Sequence, residues 1–173
     1  MNGVIGMTGL LLETPLSDEQ QNLDEAVLDS GQELLTIIND ILDLSKMEAG
    51  CLELESIDFD LKNLLERVIA AVAPRARNKG LRLQLVLEPD VPVLLRGDPG
   101  RIRQILLNLL GNAIKFTDAG EVVIKVGASN GSFDLSVRDT GPGISPADQA
   151  KLFQEFQQAD NSKTRKKEGT GLG

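Results

Sequence analysis

Apolar positions in the first third of the chain keep helical time and then abruptly stop doing so. Between Leu16 and Gly50, Leu23, Val27, Ser30, Leu34, Ile37, Ile41 and Leu44 recur in alternating steps of four and three, a heptad seam. Leu28, Leu35, Ile38 and Leu42 lay a second stripe beside it and widen the apolar face. Ser17 with Gln20 three residues on is a capping box, which predicts where the helix starts. Glu48-Ala49-Gly50 predicts its end, glycine being the usual residue past a helix C-terminus. A further apolar segment, Gly3 to Leu12, precedes it across the break Glu13-Thr14-Pro15. One helix cannot bury so wide a face, so the pattern predicts a helical hairpin that dimerises into a four-helix bundle. A core helix within a single chain fits the same periodicity.

After Gly50 the period changes. Leu52 and Leu54 predict a short strand within Cys51–Ile57, and Leu61, Leu64, Leu65, Val68, Ile69 and Val72 predict a helix over 61–76. Leu81, Leu83, Leu85 and Leu87 alternate strictly, the pattern of a half-buried strand, and Val93–Leu95 predicts a shorter one. Asp98-Pro99 is an N-cap followed by proline at the first helical position, launching a helix through Lys115. Glu121–Val126 and Phe133–Arg138 predict two strands joined by residues 127–132, with Asn130-Gly131 at the centre of the hairpin. The fold class is therefore α+β: a helical hairpin over residues 1–50, then a domain over 51–173 with helices on one face of a sheet.

Composition narrows the function classes. Apolar residues make up 41% of the 173, enough for a core, but aromatics only 3%, so that core is aliphatic. A net charge of -8 argues against a general nucleic-acid binder, which would show a basic face. No apolar run reaches the length of a membrane span and the start carries no signal-peptide pattern. The single Cys51 excludes an internal disulfide framework. Together these predict a cytoplasmic segment without membrane contact.

Three stretches carry candidate chemistry. Asn108 and Asn112 are four apart on one helical face with Lys115 a turn further, a seat for a hydrated Mg²⁺ and the phosphates it carries. The same spacing also suits an ordinary amphipathic helix with two exposed amides. Arg138-Asp139-Thr140-Gly141-Pro142-Gly143 follows a strand, and its glycines let the backbone turn and approach a ligand closely. A carboxylate there can accept from an exocyclic amine such as that of adenine, or can simply be the polar residue of a turn. Gly169-Thr170-Gly171-Leu172-Gly173 is a second glycine-rich loop able to present N–H groups to phosphate. It follows Lys163, Arg165, Lys166 and Lys167, the one dense basic run in an acidic chain. A solvated loop is the alternative there.

The order of these pieces, with Phe153 and Phe156 between the last two, resembles the ATP-binding domain of sensor histidine kinases. The stretch MNGVIGMTGLLLETPLS…LLTIINDILDLSKMEAG resembles the dimerisation and histidine-phosphotransfer hairpin of the same family, particularly of its hybrid members. The resemblance implies an ATP- and Mg²⁺-dependent protein-histidine kinase with an α/β-sandwich nucleotide fold. It implies that Asn112 ligates Mg²⁺ with Asn108 in support, that Lys115 contacts phosphate, and that Asp139 reads the adenine amine beside Gly141 and Gly143. Phe153 and Phe156 would pack beside a lid over about 157–168, and Gly169, Thr170, Gly171, Leu172 and Gly173 would begin the loop that closes on the phosphates. The implied partners are a second copy of the chain and a response-regulator receiver domain.

Related ATPases of the chaperone, mismatch-repair and topoisomerase type carry Glu where this chain has Asn108. A carboxylate there takes a proton from the attacking water, which an amide cannot do. Asn108 thus predicts transfer to another nucleophile, a histidine. The chain contains none. It starts at the Met-Asn-Gly that follows the family's His-Glu-x-Arg-Thr-Pro box and stops inside the second glycine loop, so the expectation is an internal stretch of a longer kinase that cannot phosphorylate itself. A non-catalytic dimerisation or regulatory module derived from a kinase is the alternative.

Overall fold

A computed structural model describes residues 1–129 and 132–149. It divides into two compact units, one of residues 1–53 and one that begins at Leu54.

The first unit is a helical hairpin of α1 (Asn2–Leu11) and α2 (Asp18–Glu48). The capping box forms as spaced: Ser17 Oγ accepts from Gln20 N–H, and Gln20 Oε1 accepts from Ser17 N–H at 3.0 Å. At the other end Gly50, at φ +65°, lets Gly50 N–H reach Met47 O and Cys51 N–H reach Lys46 O. The helices approach closely at Gly31, where an added Cβ would stand 3.2 Å from Ile5 Cγ1. Thr8 of α1 is buried, its hydroxyl donating back to Val4 O. Most of the apolar face remains open: Leu23, Val27, Leu34, Ile38, Ile41 and Leu42 of α2, with Met7, Leu10 and Leu11 of α1, are exposed.

The second unit layers two helices on one side of a sheet. Its elements are β1 (Ile57–Asp60), α3 (Leu61–Asn78), β2 (Arg82–Leu87), β3 (Leu94–Gly97), α4 (Pro99–Phe116), β4 (Glu121–Ser129), β5 (Ser132–Asp139) and a short α5 (Pro146–Gln149). β2, β4 and β5 form a three-stranded sheet, β2 parallel to β4 and β4 antiparallel to β5, while β1 and β3 pair antiparallel beside it. Register follows the alternation. Leu83, Leu85 and Leu87 stand opposite Val122, Ile124 and Val126, and Val137 and Leu135 stand opposite Ile124 and Val126. This apolar ladder meets Leu61, Leu65, Val68 and Val72 of α3 and Leu106, Leu110, Ala113 and Ile114 of α4 in one aliphatic core. Each fully buried Leu or Val there contributes about 1.5–3 kcal/mol.

Four predicted strands shift. Residues 51–56 carry no strand, and the first begins at Ile57. Leu54 is exposed and Glu55 N–H is taken by a side chain, Asp98 Oδ2, instead of a neighbouring strand. β3 runs Leu94–Gly97, one residue later than expected at its start, because its partner β1 ends at Asp60 and the chain turns into α3 at Leu61, whose N–H makes the last cross-strand bond to Val93 O. The β4–β5 strands run through Gly127, Ala128 and Ser129 and restart at Ser132, so most of the expected loop is paired backbone. The Asn130-Gly131 turn itself lies outside the described residues.

Asp98 caps α4, accepting from Arg101 N–H at 2.9 Å as well as from Glu55 N–H at 3.1 Å. Above all the Arg101 N–H holds the carboxyl below its ordinary value of 3.8; burial opposes it, and the Glu55 and Gly100 amides and the Arg101 charge add to the lowering. A carboxyl lowered on folding stabilises fully above its ordinary value and loses that contribution as pH falls through its folded value. The stability gap between the protein and Asp98→Asn should therefore be widest near neutrality and close in acid. Urea unfolding at a series of pH values checks this, and a gap that widens on acidification would contradict it.

Candidate functional site

α4 carries two faces. Leu106 and Leu110 point into the core, and on the opposite side Asn108 and Asn112 are exposed, Asn112 Nδ2 donating to Asn108 Oδ1 at 3.1 Å. The bond aligns the two carboxamides along the helix and leaves Asn112 Oδ1 outside it. Lys115 follows a turn later, half-buried, its ammonium 5.7 Å from the centre of the Phe116 ring.

Asp139 sits at the end of β5 rather than in the turn after it, and this sets which way it faces. It stands opposite Val122 and two residues beyond Val137, so it continues the sheet's helix-facing side past the edge of the apolar ladder. There the end of α4 meets it. Asp139 Oδ1 accepts from Gly141 N–H at 2.8 Å and from the Thr117 hydroxyl at 3.4 Å. Thr117 is fully buried, and its N–H closes α4 on Ala113 O. The structure thus brings Asp139 to the C-terminal end of the helix that carries Asn108, Asn112 and Lys115. Asn112, four residues before that end, is about 6 Å along the axis from it.

The glycines earn their places differently. An added Cβ at Gly141 would stand 2.7 Å from Asp139 Oδ1 and 3.3 Å from Phe116 O, so a side chain there would push the carboxylate from its place. Gly143 is in the left-handed region at φ +73° with open space around it. Gly120, not singled out by spacing, is at φ +112°, and a Cβ there would collide with Thr140 Oγ1. That hydroxyl accepts from Glu121 N–H at 3.0 Å and fastens the end of β5 to the start of β4. Gly120→Ala should cost about 2 kcal/mol through the strained φ and the displaced Thr140. A thermal melt checks it, and a neutral result would contradict the packing.

Sequence reasoning missed Thr117 and Lys79. Lys79 Nζ donates to Ile114 O at 2.7 Å and Lys115 O at 2.9 Å, closing the end of α4. Neither residue belongs to an alternation or a glycine motif; their roles rest on contacts 22 and 35 positions apart. Phe153, Phe156, Gly169, Thr170, Gly171, Leu172 and Gly173 lie outside the described residues, as do Lys163, Arg165, Lys166 and Lys167. A shallow hollow lined by Glu88, Lys125, Gly127, Ala128, Asp134 and Ser136 contains none of the predicted site residues. It is bridged by a Lys125–Glu88 ion pair of 2.8 Å. No helix among the described residues is long and apolar enough to cross a membrane.

Residues 97–173 match the histidine kinase-, DNA gyrase B- and HSP90-like ATPase family, and residues 1–50 match the His Kinase A (phospho-acceptor) domain. The signal transduction histidine-protein kinase BarA of Escherichia coli K12 is 48% identical over 178 aligned positions, covering all of this chain and 19% of that protein. The sensor protein GacS of Pseudomonas syringae is 44% identical, again over the whole chain and 20% of its own length. This chain thus spans about a fifth of the curated relatives it matches. The crystal structure of full-length ShkA in complex with AMPPNP superposes with a TM-score of 0.74 at 40% identity, over 99% of this chain and 35% of that one. With phospho-acceptor-type helices at residues 1–50, an ATPase-type domain laid over α4 and Asp139, and whole-chain similarity to such kinases, the chain belongs to the sensor histidine kinase family.

Proposed function

We propose that this chain supplies the dimerising helices, over residues 1–50, and the nucleotide-binding segment, over 51–173, of a cytoplasmic kinase region that binds ATP with Mg²⁺ and passes the γ-phosphoryl group to a histidine. The observation that carries the reading is the Asp139 carboxylate, fixed through Oδ1 on the helix-facing edge of β5 beside the end of α4. Oδ2 is then the acceptor for the adenine amine, with Gly141 and Gly143 keeping that edge open. Asn112 Oδ1, with Asn108 in support, would hold Mg²⁺. Carboxamide oxygens are hard donors that suit this ion, and two of them leave most of its octahedral shell to phosphate oxygens and water. The ion would neutralise charge on the phosphates, which is the main demand of phosphoryl transfer. Lys115 adds a cation on the same side of α4. Phe153 and Phe156 would pack the lid, and Gly169, Thr170, Gly171, Leu172 and Gly173 would close on the phosphates.

Asn108 cannot act as a general base, which favours a protein nucleophile over water. The 173 residues contain no histidine, so the acceptor is a residue outside this sequence. The exposed apolar face of the hairpin fits a second copy of the chain, and a response-regulator receiver domain would take the phosphoryl group onward. Titrating the chain with ATP, with and without Mg²⁺, tests the reading: binding should strengthen with the ion, and Asn112→Ala should erase that gain. Labelled ATP should leave no acid-labile label on the chain alone, and stable label would overturn the assignment. Tight dimerisation with no nucleotide binding would identify a non-catalytic dimerisation module instead.

A further inference from the structure

Lys79 has no part in the roles assigned above, yet its position is closely determined. α3 ends in a Schellman turn: Gly80, at φ +68°, lets Gly80 N–H reach Arg77 O and Leu81 N–H reach Ala76 O. Leu81 is buried and begins the descent into β2, so the backbone of Lys79 is held from both sides. From there its ammonium crosses to the far end of α4 and donates to Ile114 O, Lys115 O and, at 3.3 Å, Thr117 O. These carbonyls lie where a helix leaves its acceptors without internal partners, and a cation there also meets the negative end of the helix dipole.

The segment that Lys79 grips is the one that touches Asp139. Thr117 donates to Asp139 Oδ1 over 3.4 Å, long for an O–H···O bond, so a small shift of the helix end decides whether it exists. Thr117 is fully buried, so its hydroxyl has no solvent to turn to instead. Phe116 O also stands within 3.3 Å of where a Gly141 side chain would begin, so the turn that presents Gly141 N–H to the carboxylate packs on the same helix end. We infer that Lys79 is a positioning residue for Asp139, acting through the last turn of α4 and Thr117, and that it thereby sharpens selection of adenine. The inference rests on the reading of Asp139 as the adenine-recognising carboxylate.

The test compares the affinity of the whole chain for ATP with that for purine riboside triphosphate, which lacks the 6-amino group. Loss of folding weakens both nucleotides by the same factor; misplacement of Asp139 lowers their ratio. Asp139→Asn should bring the ratio close to one. Lys79→Met should lower it about threefold, the scale of one weakened hydrogen bond, and Lys79→Arg should restore most of it. Thr117→Val should act in the same direction, and adding Lys79→Met to it should lower the ratio no further, because the two share one path. If Lys79→Met does not accumulate as folded protein, Lys79→Gln, too short to reach the three carbonyls, takes its place. A ratio unmoved by the Lys79 variants, while Asp139→Asn collapses it, would overturn the positioning role alone. A ratio unmoved by Asp139→Asn would overturn the reading beneath it.

Discussion

Asp139→Asn should weaken ATP binding by roughly ten- to a hundredfold while leaving the fold almost as stable as before. The carboxylate has one oxygen committed, Oδ1 to Gly141 N–H and the Thr117 hydroxyl, and asparagine can keep that oxygen in place. Its amino group must then occupy the position of Oδ2, so a donor faces the donating amine of adenine. The loss combines a missing hydrogen bond to a charged group with an opposed pair of donors, and bonds of that kind contribute about 1.5–3 kcal/mol. Asp139 is exposed at its tip, so little else depends on it. A fluorescent ATP-analogue titration beside a thermal melt separates the two quantities. Unchanged affinity would remove Asp139 from the nucleotide site; equal loss of affinity and melting temperature would make it a structural residue.

Leu110→Ala should produce the largest loss of stability, about 3 kcal/mol within a usual range of 2–5 for such truncations. Leu110 is fully buried in the core shared with α3 and the Val122–Ile124–Val126 row, while Asn108 and Asn112 on the opposite side of α4 are exposed. The neighbouring elements are a sheet and a second helix, which cannot collapse readily into the space left. For a domain of this size the change corresponds to roughly 10 °C in the melting midpoint. Because α4 also carries Asn108 and Asn112, nucleotide affinity should fall with the folded fraction and recover when that fraction is corrected for. A midpoint shift of one or two degrees would show that the core at Leu110 is looser than its burial implies.

What could be read ahead of the structure depended on whether an element repeats its own pattern. β2 was legible because Leu81, Leu83, Leu85 and Leu87 keep period two over seven residues, and α2 because its seam persists for about six turns beneath a capping box. β1 and β3 have four residues each, too few for alternation to show, and partner choice rather than propensity sets where they begin. The same holds within the site. Asn108, Asn112 and Asp139 stand in motifs of fixed spacing, whereas Thr117 and Lys79 owe their importance to where α3, α4 and β5 end in space. Asp139 itself was assigned to a turn because Thr-Gly-Pro-Gly follows it, but the pairing with Val122 keeps it in the strand and turns it toward the helices.

The sparse interior of the hairpin has a consequence for measurement. Among its described residues Thr8 and Gly31 are buried, while Leu23, Leu34, Ile38, Ile41 and Leu42 of α2 are exposed. A unit that gains its core from another copy of itself is stabilised by mass action, so its folded population is a function of how much protein is in the tube. The second unit carries its own core in Leu65, Leu106 and Ile124 and owes nothing to dilution. Melts recorded across a hundredfold range of protein concentration should therefore split into a helical transition that moves and an α/β transition that stays.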